Sequence, residues 1–150
     1  MEILNLKFYR SPSSKSLRMP SIFSKIISGE IPCHKVAESA DFLAFLDVRP
    51  RAEGHTLVIP KAEVDYIFNL APSTYTALWD FARKVAAGVE AVVPCERIGI
   101  AVIGLEVPHT HIHLIPINKV GDINFERPPV VVEEERQVAL AEKIAAAVKI

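Results

Sequence analysis

The sequence predicts an α+β fold built on an antiparallel sheet, and three features of the chain point to it. Two apolar stretches of strand length, DFLAFLDV (41–48) and HTLVIPK (55–61), flank the turn cluster RPRAEG (49–54), as in a hairpin. A long amphipathic stretch follows, STYTALWDFARKVAAGVEAVV (73–93), in which Leu78, Phe81, Val85, Val89 and Val92 recur at spacings of three and four. Two further apolar stretches, RIGIAVIGL (97–105) and HTHIHLIPI (109–117), bracket Pro108. The order β-β-α-β-β, with helices at both flanks, is that of a sheet whose helices are segregated from it, not of an alternating parallel fold.

Each element has a local cause. PSIFSKIISGEIP (20–32) reads as a short helix: Ser21 caps it, Ile22, Phe23, Ile26 and Ile27 form an apolar stripe, and Gly29 and Pro32 end it. In the first strand Phe42, Ala44 and Leu46 alternate with Leu43, Phe45 and Asp47. AEVDYIFNL (62–70) predicts a further helix of about two turns before Pro72, and Ser73 is the expected cap of the long helix. The tail EEERQVALAEKIAAAVKI (133–150) is a strong helix former with acids first and lysines last, which complements the helix dipole.

Half of the 150 residues are hydrophobic, enough for one core. Residues 19–150 are expected to form a single domain including the C-terminal helix. Residues 1–18, rich in serine and basic side chains, read as a poorly ordered extension. Met19 resembles a natural start, although the composition also resembles that of a transit peptide. Seventeen basic residues against 18 acidic ones give no field that would draw the chain to nucleic acid or to a membrane surface. No apolar stretch approaches the roughly 20 residues that cross a bilayer. Cys33 and Cys95, far apart and in no CxxC pattern, read as reduced thiols of a cytoplasmic protein.

The chemistry concentrates in GLEVPHTHIHLIPI (104–117). His109, His111 and His113 sit at alternate positions, so on a strand they project from one face. Three readings compete. As core residues, the three rings would need partners for all their nitrogens. As metal ligands, the two end histidines are spread too far along a strand for ligand nitrogens that must lie about 3–3.5 Å apart around zinc, which leaves the first and second with His55 as the metal set open to recruitment. As a nucleophile flanked by proton carriers, they supply a neutral imidazole to attack phosphorus and neighbours that can hold a proton.

With these residues in place, the chain resembles the histidine triad (HIT) family of nucleotide-binding hydrolases and transferases. The His-x-His-x-His pattern stands as His109-Thr110-His111-Ile112-His113-Leu114-Ile115, and the likeness runs back through FSKIISGEIP, LAFLDVRPRAEGHTLVIPK and the long helix, about residues 20–118. The resemblance implies a five-stranded antiparallel sheet with two main helices, to which the C-terminal helix is an extension. It implies a homodimer in which two such sheets join into one of ten strands, a nucleotide substrate, and neither a cofactor nor a required metal. It makes His111 the nucleophile toward the α-phosphorus, places His109 near the phosphate and leaving group, and gives His113 and His55 the support of His111. It makes Asp47 the acid that binds the ribose hydroxyls, and Ile22, Phe23, Ile26, Ile31, Phe45 and Leu57 the apolar pocket of the base. Filling the core is the alternative for those six, and capping a turn the alternative for Asp47.

The chain also departs from the family. Where polar residues usually follow the glycine before the triad, it has Leu105 and Glu106. Leu105 can donate no side-chain hydrogen bond, and Glu106 brings a negative charge toward an anion. The loss falls on the leaving-group side, and Glu106 suits a positively charged amine. Phosphoramidate conjugates are therefore expected ahead of dinucleoside polyphosphates, with a nucleotide-binding or partner-binding protein of incidental turnover as the reading from another class. Cys33 and His34 offer a further metal option, as in zinc-containing relatives, but adjacent residues chelate one ion poorly.

Overall fold

The computed structural model describes residues 18–150. The expectation for residues 1–18 lies outside this range, Arg18 apart. Five strands, β1 (Lys35–Glu38), β2 (Phe42–Leu46), β3 (Thr56–Pro60), β4 (Arg97–Ala101) and β5 (Ile112–Ile117), form one sheet in the order β1-β2-β3-β5-β4. All its pairings are antiparallel. Helices α1 (Ile22–Ile27), α2 (Pro72–Val92) and α3 (Glu134–Ala147) cover it. No described helix is long and apolar enough to cross a membrane.

Alternation along the strands sorts the side chains onto two faces. Phe42, Ala44, Leu46, Val58, Ile112 and Leu114 meet Leu78, Phe81, Val85 and Val89 of α2 and Leu140 and Ile144 of α3 in the main core. Leu43, Phe45, Leu57 and Ile59 point the other way and pack under Phe23 of α1 in a smaller layer. The C-terminal helix thus serves as cover. Its Gln137, 5% exposed, donates from Nε2 to the Asp47 carbonyl at 3.1 Å.

Ser21 caps α1 as expected, accepting the Ser24 N–H at 3.0 Å, and Gly29 leaves the helix at φ +80°. Four boundaries differ from the sequence reading. The long helix starts at Pro72 with Ala71 as its N-cap, because proline's fixed φ suits the first helical position and the N–H it lacks is one that the helix leaves unpaired there. The stretch 62–70 holds only a 3-10 turn, Ile67–Asn69. The Val64 carbonyl there accepts Thr110 N–H at 2.7 Å and Thr110 Oγ1–H at 2.8 Å, bonds that tie it across the molecule. The fourth strand stops at Ala101, after which Val102–Pro108 loops away from the sheet. The fifth begins only at Ile112, so His109 and His111 precede it. Strand β1 adds a fifth member that the sequence pattern missed.

The turn between β2 and β3 brings the catalytic candidates together. Gly54 sits there at φ +87°, and a Cβ at that position would lie 2.7 Å from Val93 Cγ2, so the tight return toward β3 needs glycine.

Candidate active site

The register of β3 against β5 positions the first histidine pair. Leu57 lies opposite His113, which makes His55, two residues earlier and on the same face, its diagonal cross-strand neighbour. The two rings close the gap with a hydrogen bond between His55 Nε2 and His113 Nδ1 of 2.9 Å. Backbone partners fix the direction of the proton. Arg51 N–H donates to His55 Nδ1 at 3.0 Å, so His55 carries its hydrogen on Nε2 and donates it to His113 Nδ1. His113 then carries its own hydrogen on Nε2. Asp47 Oδ2 lies 3.7 Å from His55 Nε2, on the side where that hydrogen resides.

His111 is held by a different device. Its Nδ1 lies 2.7 Å from the His109 carbonyl, which can only accept, so Nδ1 bears the hydrogen and Nε2 keeps a free lone pair. The ring stands with its centroid 4.8 Å from that of His113 and 5.0 Å from that of Phe23. At 7% exposure it is nearly enclosed yet lines the cavity.

Burial holds His55 and His113 neutral. Each is pushed down to about 3, chiefly by desolvation of the charged form, with the Arg51 and His111 charges acting in the same direction on both and His55 further opposing the protonation of His113. Asp47 works against this on His113.

His109 is not where the resemblance places it. It is fully buried, lines no part of the cavity, and both ring nitrogens are used: Nε2–H donates to the Pro60 carbonyl at 2.7 Å, and Nδ1 accepts from Ser21 Oγ at 2.8 Å. Burial shifts it downward too, which fits a neutral ring between those partners. Because residues 109–111 precede the strand, strict alternation does not govern them. Thr110, tied to the Val64 carbonyl, turns the backbone so that His109 pins the start of α1 to the end of β3.

A cavity of about 670 Å³ opens beside His111 and His113. Asp47, Ile22, Phe23 and Leu57 line it, as do Leu105 and Glu106 from the loop after β4. Ile26 and Phe45 lie instead in the apolar layer beneath Phe23 and Leu57, and Ile31 does not reach the cavity. They support the pocket from behind or flank it. Asp47 also caps the turn: its Oδ1 accepts the Arg49 N–H at 2.8 Å. The carboxylate thus has both of the roles weighed for it within reach, with one oxygen anchored and the residue at the cavity wall.

The sequence reading missed a whole wall. Arg49 and Arg51 from the turn, and Phe125, Glu126, Arg127, Pro128 and Pro129 from the segment after β5, also line it. The signal available was two arginines close after Asp47, a cationic turn suited to an anionic ligand. Nothing in the composition of 125–129 points to the cavity.

Three acceptor atoms of Asp47, His55 and His113 lie within 4.8 Å of one another, close enough to be weighed as a metal set. Their geometry is accounted for by the His55–His113 hydrogen bond, which occupies a nitrogen of each ring. Cys33 and His34 stand apart from that group. Cys33 packs against the layer under Phe23, and His34 Nε2 faces Glu134 at 3.4 Å.

A five-stranded antiparallel sheet with histidines gathered at the start of β5 and beside β3 defines one class of protein. The chain belongs to the histidine triad family: the HIT domain pattern matches residues 28–120. It is 35% identical over 134 residues to the adenosine 5'-monophosphoramidase hnt1 of Schizosaccharomyces pombe, covering 87% of this chain and 100% of that one. Among solved structures it resembles a Hit-like protein involved in cell-cycle regulation from Bartonella henselae (TM-score 0.73, 30% identity, 85% of this chain and 96% of that one). It is also similar to a Zn-bound histidine triad family protein from Mycobacterium smegmatis (TM-score 0.70, 27% identity, 83% and 93%).

Proposed function

We propose that this chain is a cytoplasmic, homodimeric nucleotide hydrolase that acts at the α-phosphate of a purine nucleotide conjugate of the phosphoramidate type. The observation that carries the reading is the free Nε2 lone pair of His111 at the cavity wall, fixed by the bond from its Nδ1–H to the His109 carbonyl. In the first step that lone pair forms a bond to phosphorus while the bond from phosphorus to the leaving amine breaks. The departing nitrogen takes a proton from solvent water and leaves as the amine, and a nucleotidyl-histidine remains. Water then attacks the same phosphorus, the phosphorus–nitrogen bond to His111 breaks, and a nucleoside monophosphate leaves. His113, with its hydrogen on Nε2, and His55 behind it hold His111 and its charge balance through both steps. Asp47 accepts from the ribose hydroxyls, and Ile22, Phe23 and Leu57 contact the base.

The likeness to the fission-yeast adenosine 5'-monophosphoramidase supports an amidate substrate. So does Glu106 on the leaving-group wall, which repels a polyphosphate and accepts an ammonium. The second reading, a nucleotide-binding or partner-binding protein with incidental turnover, draws on the same wall, since Leu105 offers the leaving group no side-chain donor. Mass spectrometry after mixing with adenosine 5'-phosphoramidate and quenching under conditions that preserve phosphohistidine separates the two. A transient adduct of one AMP is expected in the wild type and none in His111→Ala. Nucleotide binding without adduct or released AMP would leave the binding protein. In the same assay Glu106→Gln should lower the ratio of amidate to dinucleoside polyphosphate turnover, and an unchanged ratio removes Glu106 from the selectivity.

A further inference from the structure

We propose that Arg51 and Phe125 form a clamp that fastens the segment after β5 over the His55–His113 pair, making both of them positioning residues for His111. The proposed mechanism does not use either side chain, and the sequence pattern singled out neither. Their connection is made entirely by contacts distant in the chain.

Arg51 works at two levels. Its backbone N–H donates to His55 Nδ1 and so sets the proton direction through the pair. Its guanidinium donates through Nη1 to the carbonyls of Phe125, at 3.2 Å, and Arg127, and through Nη2 to that of Arg49 at 3.4 Å. Those partners are all neutral carbonyls, so they hold the group without cancelling its charge. The guanidinium carbon lies 5.6 Å from the centroid of the Phe125 ring. That ring stands edge-on to His113 with centroids 4.8 Å apart, and to His55 at 6.3 Å. A second tie closes the same seam, Val130 N–H donating to the Pro50 carbonyl at 2.8 Å.

The arrangement has a consequence for the pair. The Phe125 ring packs edge-on against both rings of the hydrogen-bonded pair, so removing it admits water to them. Water would compete for the His55 Nε2–H and for His113 Nδ1, and would relieve the desolvation that keeps both rings neutral. The charged and titratable groups around the pair are Asp47 from the end of β2, Arg51 from the turn, His111 ahead of β5, and Glu126 and Arg127 from the clamped segment. Arg51 is a cation beside the pair, so its loss changes charge as well as covering. Phe125 is neutral, which makes it the decisive position.

The test reads the histidines directly. In the full chain with labelled imidazole nitrogens, NMR follows the tautomer and titration of His55 and His113 in wild type, Phe125→Ala, Phe125→Leu and Arg51→Met. Phe125→Leu keeps apolar bulk should the alanine variant unfold. The clamp predicts that loss of the ring raises the midpoints of both histidines by about one unit or more. It also predicts a fall in the single-turnover rate of adduct formation of roughly tenfold, with KM within about twofold. Midpoints unchanged in the folded Phe125 variants overturn the proposal, and a rise in KM alone makes Phe125 merely part of the nucleoside wall. The kinetic arm rests on the proposed function, whereas the titration arm does not. Shifted midpoints in a protein that forms no adduct would therefore uphold the clamp and defeat the hydrolase.

Discussion

At the scale of single residues, the three triad histidines have three different environments, although the sequence writes them as equivalents. His111 owes its free nitrogen to a backbone carbonyl, His113 receives a hydrogen from His55, and His109 spends both nitrogens inside the protein. His109 therefore belongs to the architecture of α1, the helix that supplies Ile22 and Phe23 to the cavity. His109→Ala would leave the Pro60 carbonyl and the Ser21 hydroxyl without their buried partner and open a void, at a cost of about 2–5 kcal/mol. Adduct formation at saturating nucleotide should survive, because His111 is held by the main chain of residue 109 and not by its ring. His109→Gln, whose amide can both donate and accept, should recover part of the stability. Chemical denaturation together with single-turnover kinetics checks this. Unaltered stability with a lost adduct would return His109 to the phosphate.

At the scale of elements, what could be read in advance was whatever repeats. The apolar alternation of β2 and β3 and the three-and-four spacing of α2 lie in local sequence, and so did the cap at Ser21. Strand β1 escaped because its four residues run exposed, buried, buried, exposed, without alternation. Residues 102–105 and 109–111 read as strand from composition but are drawn off the sheet, with Gly104 at φ +69° and Thr110 bonded to Val64. The segment 125–129 was silent because Arg51, more than seventy positions away, holds it by its carbonyls, and every residue type has a carbonyl. In the site, the same division holds: His55, His111, His113 and Asp47 were legible as chemistry, and their proton directions were not. Strand β4 leads to a prediction. It is an edge strand whose Ile100 is 51% exposed, and Val102, Ile103 and Leu105 continue the exposed apolar run. An open edge of that kind invites pairing with another strand. Joining two copies along β4 would give the ten-stranded sheet implied by the family resemblance. Light scattering should give twice the chain mass, and Ile100→Lys should shift the population toward monomer. A wild-type monomer at tens of micromolar removes the homodimer from the proposal.

At the scale of the whole molecule, the buried histidines couple folding to pH. In the unfolded chain His55 and His113 titrate near the ordinary 6.5, whereas in the folded protein each is pushed down to about 3 by burial. Between those values the unfolded state binds protons that the folded state refuses, so stability rises with pH across this window. The effect is absent above about pH 7 and grows as pH falls from 6.5 toward 3, at up to about 1.4 kcal/mol per pH unit for each ring. His109, also shifted downward, adds in the same direction. The carboxylates held below their usual range by hydrogen bonds, Glu38, Glu63 and Asp122, act only at the acid end, below about 4.5, where solvent screens them. Urea midpoints measured at pH 7, 6 and 5 therefore isolate the histidines. The midpoint should fall steadily over these two units, and less steeply in His55→Gln, which removes one titrating ring and can still bond to His113. A midpoint that holds level from pH 7 to pH 5 would mean that the folded protein protonates the pair as readily as the unfolded chain does. In that case burial would not keep the pair neutral, and the bond from His55 Nε2–H to an uncharged His113 Nδ1 could no longer be what positions His111.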